Sequence, residues 1–342
     1  MIYIYFFILT LSLFLIVLTI KNKKFFEKLN KDYNPVQKIH HGYIPRVGGL
    51  IIILCFYTAL ILINDFSIFL KTELILAAIL IIFVGAIEDL FGKASPFLRF
   101  FSIFIASLIF VSCQNQLPVI DITFLNSALK SHYFVEILFY TIGLTALANG
   151  FNMIDGMNGL VGFTSVGCLL STLAISIFFI NSDIYHNEII LLISLLCIFL
   201  FFNFPNGKIF FGDTGSYWIG WIIGILIIKL YSEFDLNTWG AIIILFYPLQ
   251  EVVFSVTRKL FQKKSPLNPD IEHLHLKLYF FLKGQVTRST RFNSFVTVCL
   301  MPFWFLPTLM IVWSQIYSHI IIVFIFILEA AYLYFYYLIP SK

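Results

Sequence analysis

Glu88 and Asp89 in GAIEDLFGKASP, Asp155 in NGFNMIDGMNGL and Asp213 in NFPNGKIFFGDTGS are acids set in turns rich in glycine and asparagine, each at the edge of a long apolar run. One or two carboxylates, completed by substrate phosphates and water, are how proteins usually hold magnesium. The four acids therefore predict a phosphate-handling metal site. Glycines at 48, 49, 150, 156, 159, 207, 212 and 215 lie beside them or at the same face; a backbone without Cβ can approach a phosphate and offer its N–H groups. Any one of these acids alone reads as a helix cap or as the partner of a nearby lysine, and any one glycine as helix packing. Four acids in such turns on one face call for a shared purpose.

A second group follows in a basic segment, where His273 and His275 stand in PDIEHLHLKL beside Asp270 and Glu272. A His-x-His pair with nearby acids suits zinc, but no third and fourth ligand follows at finger-like spacing. Hydrogen bonding to a diphosphate is an equally good use of such a loop, and plain exposure of two histidines is the third reading.

The elements that must position these groups are membrane spans. Of 342 residues, 60% are apolar and 12% charged, with a mean hydropathy of +0.94, whereas soluble domains carry roughly 25% charged residues. That excludes a soluble protein. The five cysteines sit in or at the ends of apolar runs without paired spacing, so neither a disulfide framework nor a cysteine metal site is expected. A hydrocarbon core of roughly 30 Å takes about 20 apolar residues in a helix. Runs of that kind lie near 1–20, 47–63, 73–91, 97–113, 133–150, 159–180, 188–205, 215–231, 239–257, 293–313 and 320–338. The first has no basic residues before it and no small-residue cleavage pattern after it, so it is expected to be a retained helix with its N-terminus outside. Alternating from there, all of the 22 basic residues except Lys71, Lys130 and Lys229 fall on the inner side, which is the expected bias for this topology. The same alternation places Glu88, Asp89, Asp155 and Asp213 on the inner side without having used them. The chain is thus expected to be all-α, a single polytopic transmembrane domain over 1–342 with about 10–11 helices and cytoplasmic loops at 21–46 and 258–292.

Taken in order, these segments resemble the polyprenyl-phosphate N-acetylhexosamine-1-phosphate transferases, the MraY/WecA-type glycosyltransferase 4 family. Lys38 and His40 ahead of PRVGG resemble its first cytoplasmic signature, and GAIEDLFGKASPFLR resembles its DD motif with the following SP and Arg. NGFNMIDGMNGL, NFPNGKIFFGDTGS and PDIEHLHLKL resemble the next three signatures in the family's order. The resemblance implies a Mg2+-dependent transfer, with Mn2+ as a substitute, in which a polyprenyl (undecaprenyl) phosphate takes a sugar 1-phosphate from a UDP-sugar and UMP is released. It implies Asp213 as main metal ligand with Asn152 beside it, and Asp89, Glu88 and Asp155 as the catalytic acids, Asp89 orienting or deprotonating the lipid phosphate. Asn158 and Asn203 would lie near the uracil, and Lys38, His40, His273 and His275 at the donor's phosphates or sugar. It further implies a bacterial cytoplasmic membrane protein serving cell-envelope polysaccharide synthesis, with no nucleic-acid partner, and is compatible with a homodimer.

Glu88 replaces the first acid of the DD pair, Asn158 the second acid of the DGxDG pattern, and the histidine loop has one His fewer than the HxHH stretch. These departures place the chain on the WecA-like rather than the MraY-like side, with UDP-GlcNAc or another UDP 2-acetamido sugar as donor. The alternative is a multi-span transporter or flippase of a lipid-linked or phosphorylated solute. That reading predicts acids near the midplane and polar groups toward both faces.

Overall fold

The computed structural model describes residues 2–29, 43–63, 67–180, 183–234, 236–266, 268, 271–283 and 292–340. In chain order the helices are α1 (Ile2–Lys21), α2 (Lys23–Leu29), α3 (Gly48–Ile63), α4 (Thr72–Phe91), α5 (Pro96–Ser112), α6 (Thr123–Lys130), α7 (Tyr133–Met153), α8 (Leu160–Ile175) and α9 (His186–Asn203). They continue with α10 (Gly212–Glu233), α11 (Trp239–Ile244), α12 (Phe246–Phe261), α13 (Leu274–Lys283), α14 (Phe292–Cys299), α15 (Met301–Trp304), α16 (Leu306–Ile316) and α17 (Ser318–Leu338). The protein is an all-α polytopic membrane protein, and every apolar run of the sequence falls on helix. Seven helices among the described residues are by themselves long and apolar enough to cross a membrane, and a bent pair makes an eighth. Helices α3 and α5 are apolar but shorter, with 16 and 17 residues.

Two of the runs expected as single spans are broken, and proline explains where. A proline lacks the N–H that a helix interior needs and crowds the preceding turn, so it is tolerated only in a first turn. The 239–257 run breaks at Leu245, with Pro248 in the first turn of α12. The 293–313 run breaks at Leu300 and Phe305, with Pro302 and Pro307 opening α15 and α16, and bends by 52° at the first break.

At the centre stands α10, buried almost without interruption from Gly212 to Tyr231, while α1 and α17 turn many large apolar residues outward. Glycine permits this central position. A Cβ at Gly49 of α3 would lie 2.1 Å from the Cα of Gly215, and small residues that bring backbones together are how helices associate in lipid, where burial of apolar surface gives no drive. The loops separate into two sets as alternation requires. At one end Ser67 Oγ donates to Glu188 (2.7 Å) and Asp121 accepts from Thr238 N (2.6 Å); at the other the four acids meet.

Candidate active site

The site is built on the first turn of α10, whose backbone N–H groups have no carbonyl partner within the helix. The carboxylate of Asp89, at the end of α4, takes two of them: Asp213 N donates to Oδ1 and Thr214 N to Oδ2, both at 2.8 Å, with Thr214 Oγ1 adding a third bond at 2.7 Å. Asp155, in the turn after α7, accepts from Gly212 N at 3.2 Å. Two acids from other helices thus cap the positive end of the α10 dipole, the favoured place for negative charge. Gly212 has φ of +84°, which glycine adopts freely.

Asp213 faces the other way. Arg46 Nη2 donates to its Oδ1 at 2.6 Å and Arg99 Nη1 to its Oδ2 at 2.5 Å, with Arg46 also 3.5 Å from Asp89. Arg46 is placed by the backbone of its own segment, since Phe210 N donates to Pro45 O (2.8 Å), Gly48 N to Phe210 O (2.9 Å) and Gly49 N to Phe211 O (2.8 Å). Arg99 comes from the first turn of α5, where Ser95 caps the helix by accepting from Leu98 N and Pro96 follows. Glu88 bends back to accept from Ala94 N at 3.0 Å, which fixes the α4–α5 corner beside Asp89. Asn152 joins through its amide, which donates to Ser216 Oγ at 2.9 Å. Burial first, and then the neighbouring Asp213 and Asp89, push the Asp155 carboxyl well above its usual range against the pull of Arg46.

The remaining predicted residues divide. Asn158 and Asn203 are buried and serve as framework: Gly159 N donates to Asn203 Oδ1 (2.5 Å), Asn203 Nδ2 to Ile209 O (2.7 Å), and Asn158 Nδ2 to Pro205 O (3.0 Å). They lock the 155–160 turn onto the 203–209 turn, and Asn158 N donates to Asn293 Oδ1 (2.5 Å) to bring in α14. His273 and His275 are buried too, their rings stacked 5.7 Å apart, rather than exposed on a loop. His275 lies over the turn after α7, where a Cβ on Gly156 would be 2.7 Å from its Nε2. Lys38, His40 and Asp270 lie outside the described residues.

Burial pushes the His275 imidazole down to about 4 from 6.5, so the unfolded chain takes up a proton that the folded chain refuses. Between pH 6.5 and 4 stability is therefore lost as pH falls. The thermal midpoint in detergent should be lower at pH 5 than at pH 7, and His275→Gln should shrink that difference; an unchanged pH response in the variant would contradict the assignment.

Sequence reasoning used Arg46 and Arg99 as topology markers and motif companions and gave them no role in the site. The available signal was an arginine one turn from a glycine pair or a helix cap, next to acids that needed neutralising. Among the described residues no group of three or more His, Cys, Asp or Glu side chains is arranged to hold a metal ion. The donor chemistry still suits magnesium, because four carboxyl groups face only two guanidinium groups in this cluster, and hydrated magnesium needs one or two carboxylates with phosphates completing its shell.

An all-α membrane bundle with acids and arginines gathered at the start of its central helix defines the class. The profile of glycosyl transferase family 4 matches residues 72–231. An undecaprenyl-phosphate alpha-N-acetylglucosaminyl 1-phosphate transferase of Thermotoga maritima is 28% identical over 70% of this chain and 69% of its own length. A phospho-N-acetylmuramoyl-pentapeptide-transferase of Petrotoga mobilis is 30% identical over 76% of this chain and 83% of its own. The chain belongs to glycosyl transferase family 4.

Proposed function

We propose that this protein is a phosphoglycosyl transferase that moves a 2-acetamido sugar 1-phosphate from a UDP-sugar, UDP-GlcNAc or a close relative, to undecaprenyl phosphate. A phosphate oxygen of the lipid forms a bond to the β-phosphorus of the donor; the bond from that phosphorus to the bridging oxygen breaks, and UMP leaves with the electron pair. The observation that carries this reading is the Arg46–Asp213–Arg99 cluster on the first turn of α10, because charge on a diphosphate in motion is stabilised by fixed cations and dipoles. Family membership and the name of the Thermotoga relative support this reaction, the Petrotoga relative's name supports a phospho-sugar transfer of the same kind, and the gathering of the acids at one end argues against transport.

Arg46 and Arg99 hold the Asp213 carboxylate in place and present positive charge at the donor's phosphates. Asp89, with both oxygens committed to the α10 turn, positions that turn rather than moving a proton, and a lipid phosphate ionised at pH 7 needs no base. Asp213, with Asn152 beside it, is the proposed magnesium site, and a bound magnesium ion would supply neutralisation of the diphosphate. We place the cluster on the cytoplasmic face of a bacterial inner membrane, where the charged donor arrives from water and the acceptor's tail stays in lipid.

Purified protein with undecaprenyl phosphate, magnesium and a panel of UDP-sugars should release UMP and form a lipid-linked sugar diphosphate. Chelation by EDTA should reduce this to background, and excess magnesium should restore it. A panel with no turnover for any sugar would dismiss the transferase reading; turnover indifferent to EDTA would dismiss the metal.

A further inference from the structure

Glu251 is an acid in α12, 1% exposed, that no step of the proposed reaction uses. A carboxylate at such depth is costly and calls for a partner. Its partner is His273, whose Nδ1 lies 3.0 Å from Glu251 Oε2 in equally buried surroundings. With Glu251 ionised, its carboxylate can only accept, and the 3.0 Å contact then assigns the proton of His273 to Nδ1. A carboxylate behind an imidazole sets the ring's orientation and its tautomer.

The pair is tied at both ends to the site. On the α12 side, Gly150 of α7 comes so close that a Cβ there would stand 2.4 Å from Pro248 O. That crossing lies one turn before Glu251 on α12 and five residues before Asp155 on the other chain segment. On the loop side, His273 stacks on His275, whose ring covers Gly156, the residue after Asp155. The path Glu251, His273, His275, Gly156, Asp155, Gly212 therefore runs through contacts from the interior of α12 to the first turn of α10. The segment carrying the histidines is also anchored from behind, because Lys277 Nζ donates to Tyr336 O at 2.8 Å and Arg258 Nη1 of α12 donates to Glu272 O at 2.5 Å.

We propose that Glu251 is a positioning residue of this site: through His273 it holds the stacked histidines against the Asp155–Gly156 turn, so that the donor's diphosphate meets a preset imidazole. The inference rests on the transferase reading for its kinetic consequences but not for its spectroscopic one. It also separates two roles for the histidines, with His273 oriented by the acid and His275 serving as the packed link to the turn.

The test has two parts. In protein labelled with 15N-histidine, His273 is expected to carry a proton at Nδ1, and Glu251→Ala is expected to abolish that preference; an unprotonated Nδ1 in the wild-type protein overturns the inference whatever the activity. Kinetically, Glu251→Gln should lower kcat about tenfold while KM for the UDP-sugar stays within about twofold, and Glu251→Gln combined with His273→Ala should be no slower than His273→Ala alone, because residues in one contact chain are not additive. Wild-type kcat in Glu251→Gln, or additive losses in the double variant, would overturn it. A wild-type protein inactive with every donor, yet with the expected Nδ1 proton, would instead remove the transferase reading and leave the Glu251–His273 arrangement standing.

Discussion

Asp213→Asn is expected to lower turnover about a thousandfold, measured as UMP release at saturating donor and lipid. Both oxygens of the wild-type carboxylate accept from guanidinium groups. Asparagine offers one acceptor and turns an NH2 group toward the second arginine, leaving a buried cation opposite a donor. Losing one preorganised group that stabilises charge in the transition state costs about 10²–10³ in kcat, and the misoriented second guanidinium adds to that loss. The loss should appear in kcat with little change in the gel-filtration profile, since Asp89 and Asp155 still cap α10. Full activity in the variant would remove Asp213 from the site even if the reaction class stood.

Gly212→Ala is expected to lose at least about a hundredfold in activity together with thermal stability. A Cβ at this position would lie 2.3 Å from Arg46 O and 2.7 and 2.8 Å from the two oxygens of Asp89. The φ of +84° adds a penalty of about 1–2 kcal/mol for any residue with a Cβ. Backbone on one side and a fully bonded carboxylate on the other leave no flexible neighbour to yield, so the α10 turn must move away from Asp89. Gly143→Ala is the control, since nothing stands within 4 Å of its Cβ position; it should match wild type. Equal behaviour of the two variants would show that the turn tolerates displacement.

Much of this arrangement was legible in the chain, for reasons that differ between fold and site. Spans are readable because lipid imposes one length and one polarity on a helix, whereas the breaks that open α12, α15 and α16 are missed because hydropathy runs straight through Pro248, Pro302 and Pro307. The acids were legible because each sits in a turn whose glycines and asparagines have no business in a plain span. What could not be read is the partnership across the sequence. Arg46 and Asp213 are 167 residues apart, and only the backbone pairing of the 45–49 segment with 210–211 brings them together. Nor could direction be read: both polar atoms of the Asn203 amide and the Nδ2 of Asn158 bond backbone of the turns around them, because tight turns leave N–H and C=O groups that must be satisfied, while Asn158 Oδ1 is buried without a hydrogen-bond partner among the described residues. Glu251 sits inside an apolar run, but its partner His273 lies on a loop that periodicity cannot place.

The near-complete burial of α10 bears on how the protein comes to exist in the membrane. This helix is the least apolar of the seven that can span alone, and the neighbours it packs on, α3, α4 and α7, all precede it in the chain. It can leave the insertion machinery into a waiting ring of protein instead of into lipid. Until it docks, Asp89 and Asp155 lack the three backbone donors that hold them, so a nascent chain ending before residue 212 carries Glu88, Asp89 and Asp155 without Asp213 and without the turn that binds them. A ribosome-bound chain should therefore gain protease resistance around Asp89 and Asp155 only as α10 enters, and the site is completed later, when α12 and the segment carrying His273 and His275 close over the Asp155–Gly156 turn.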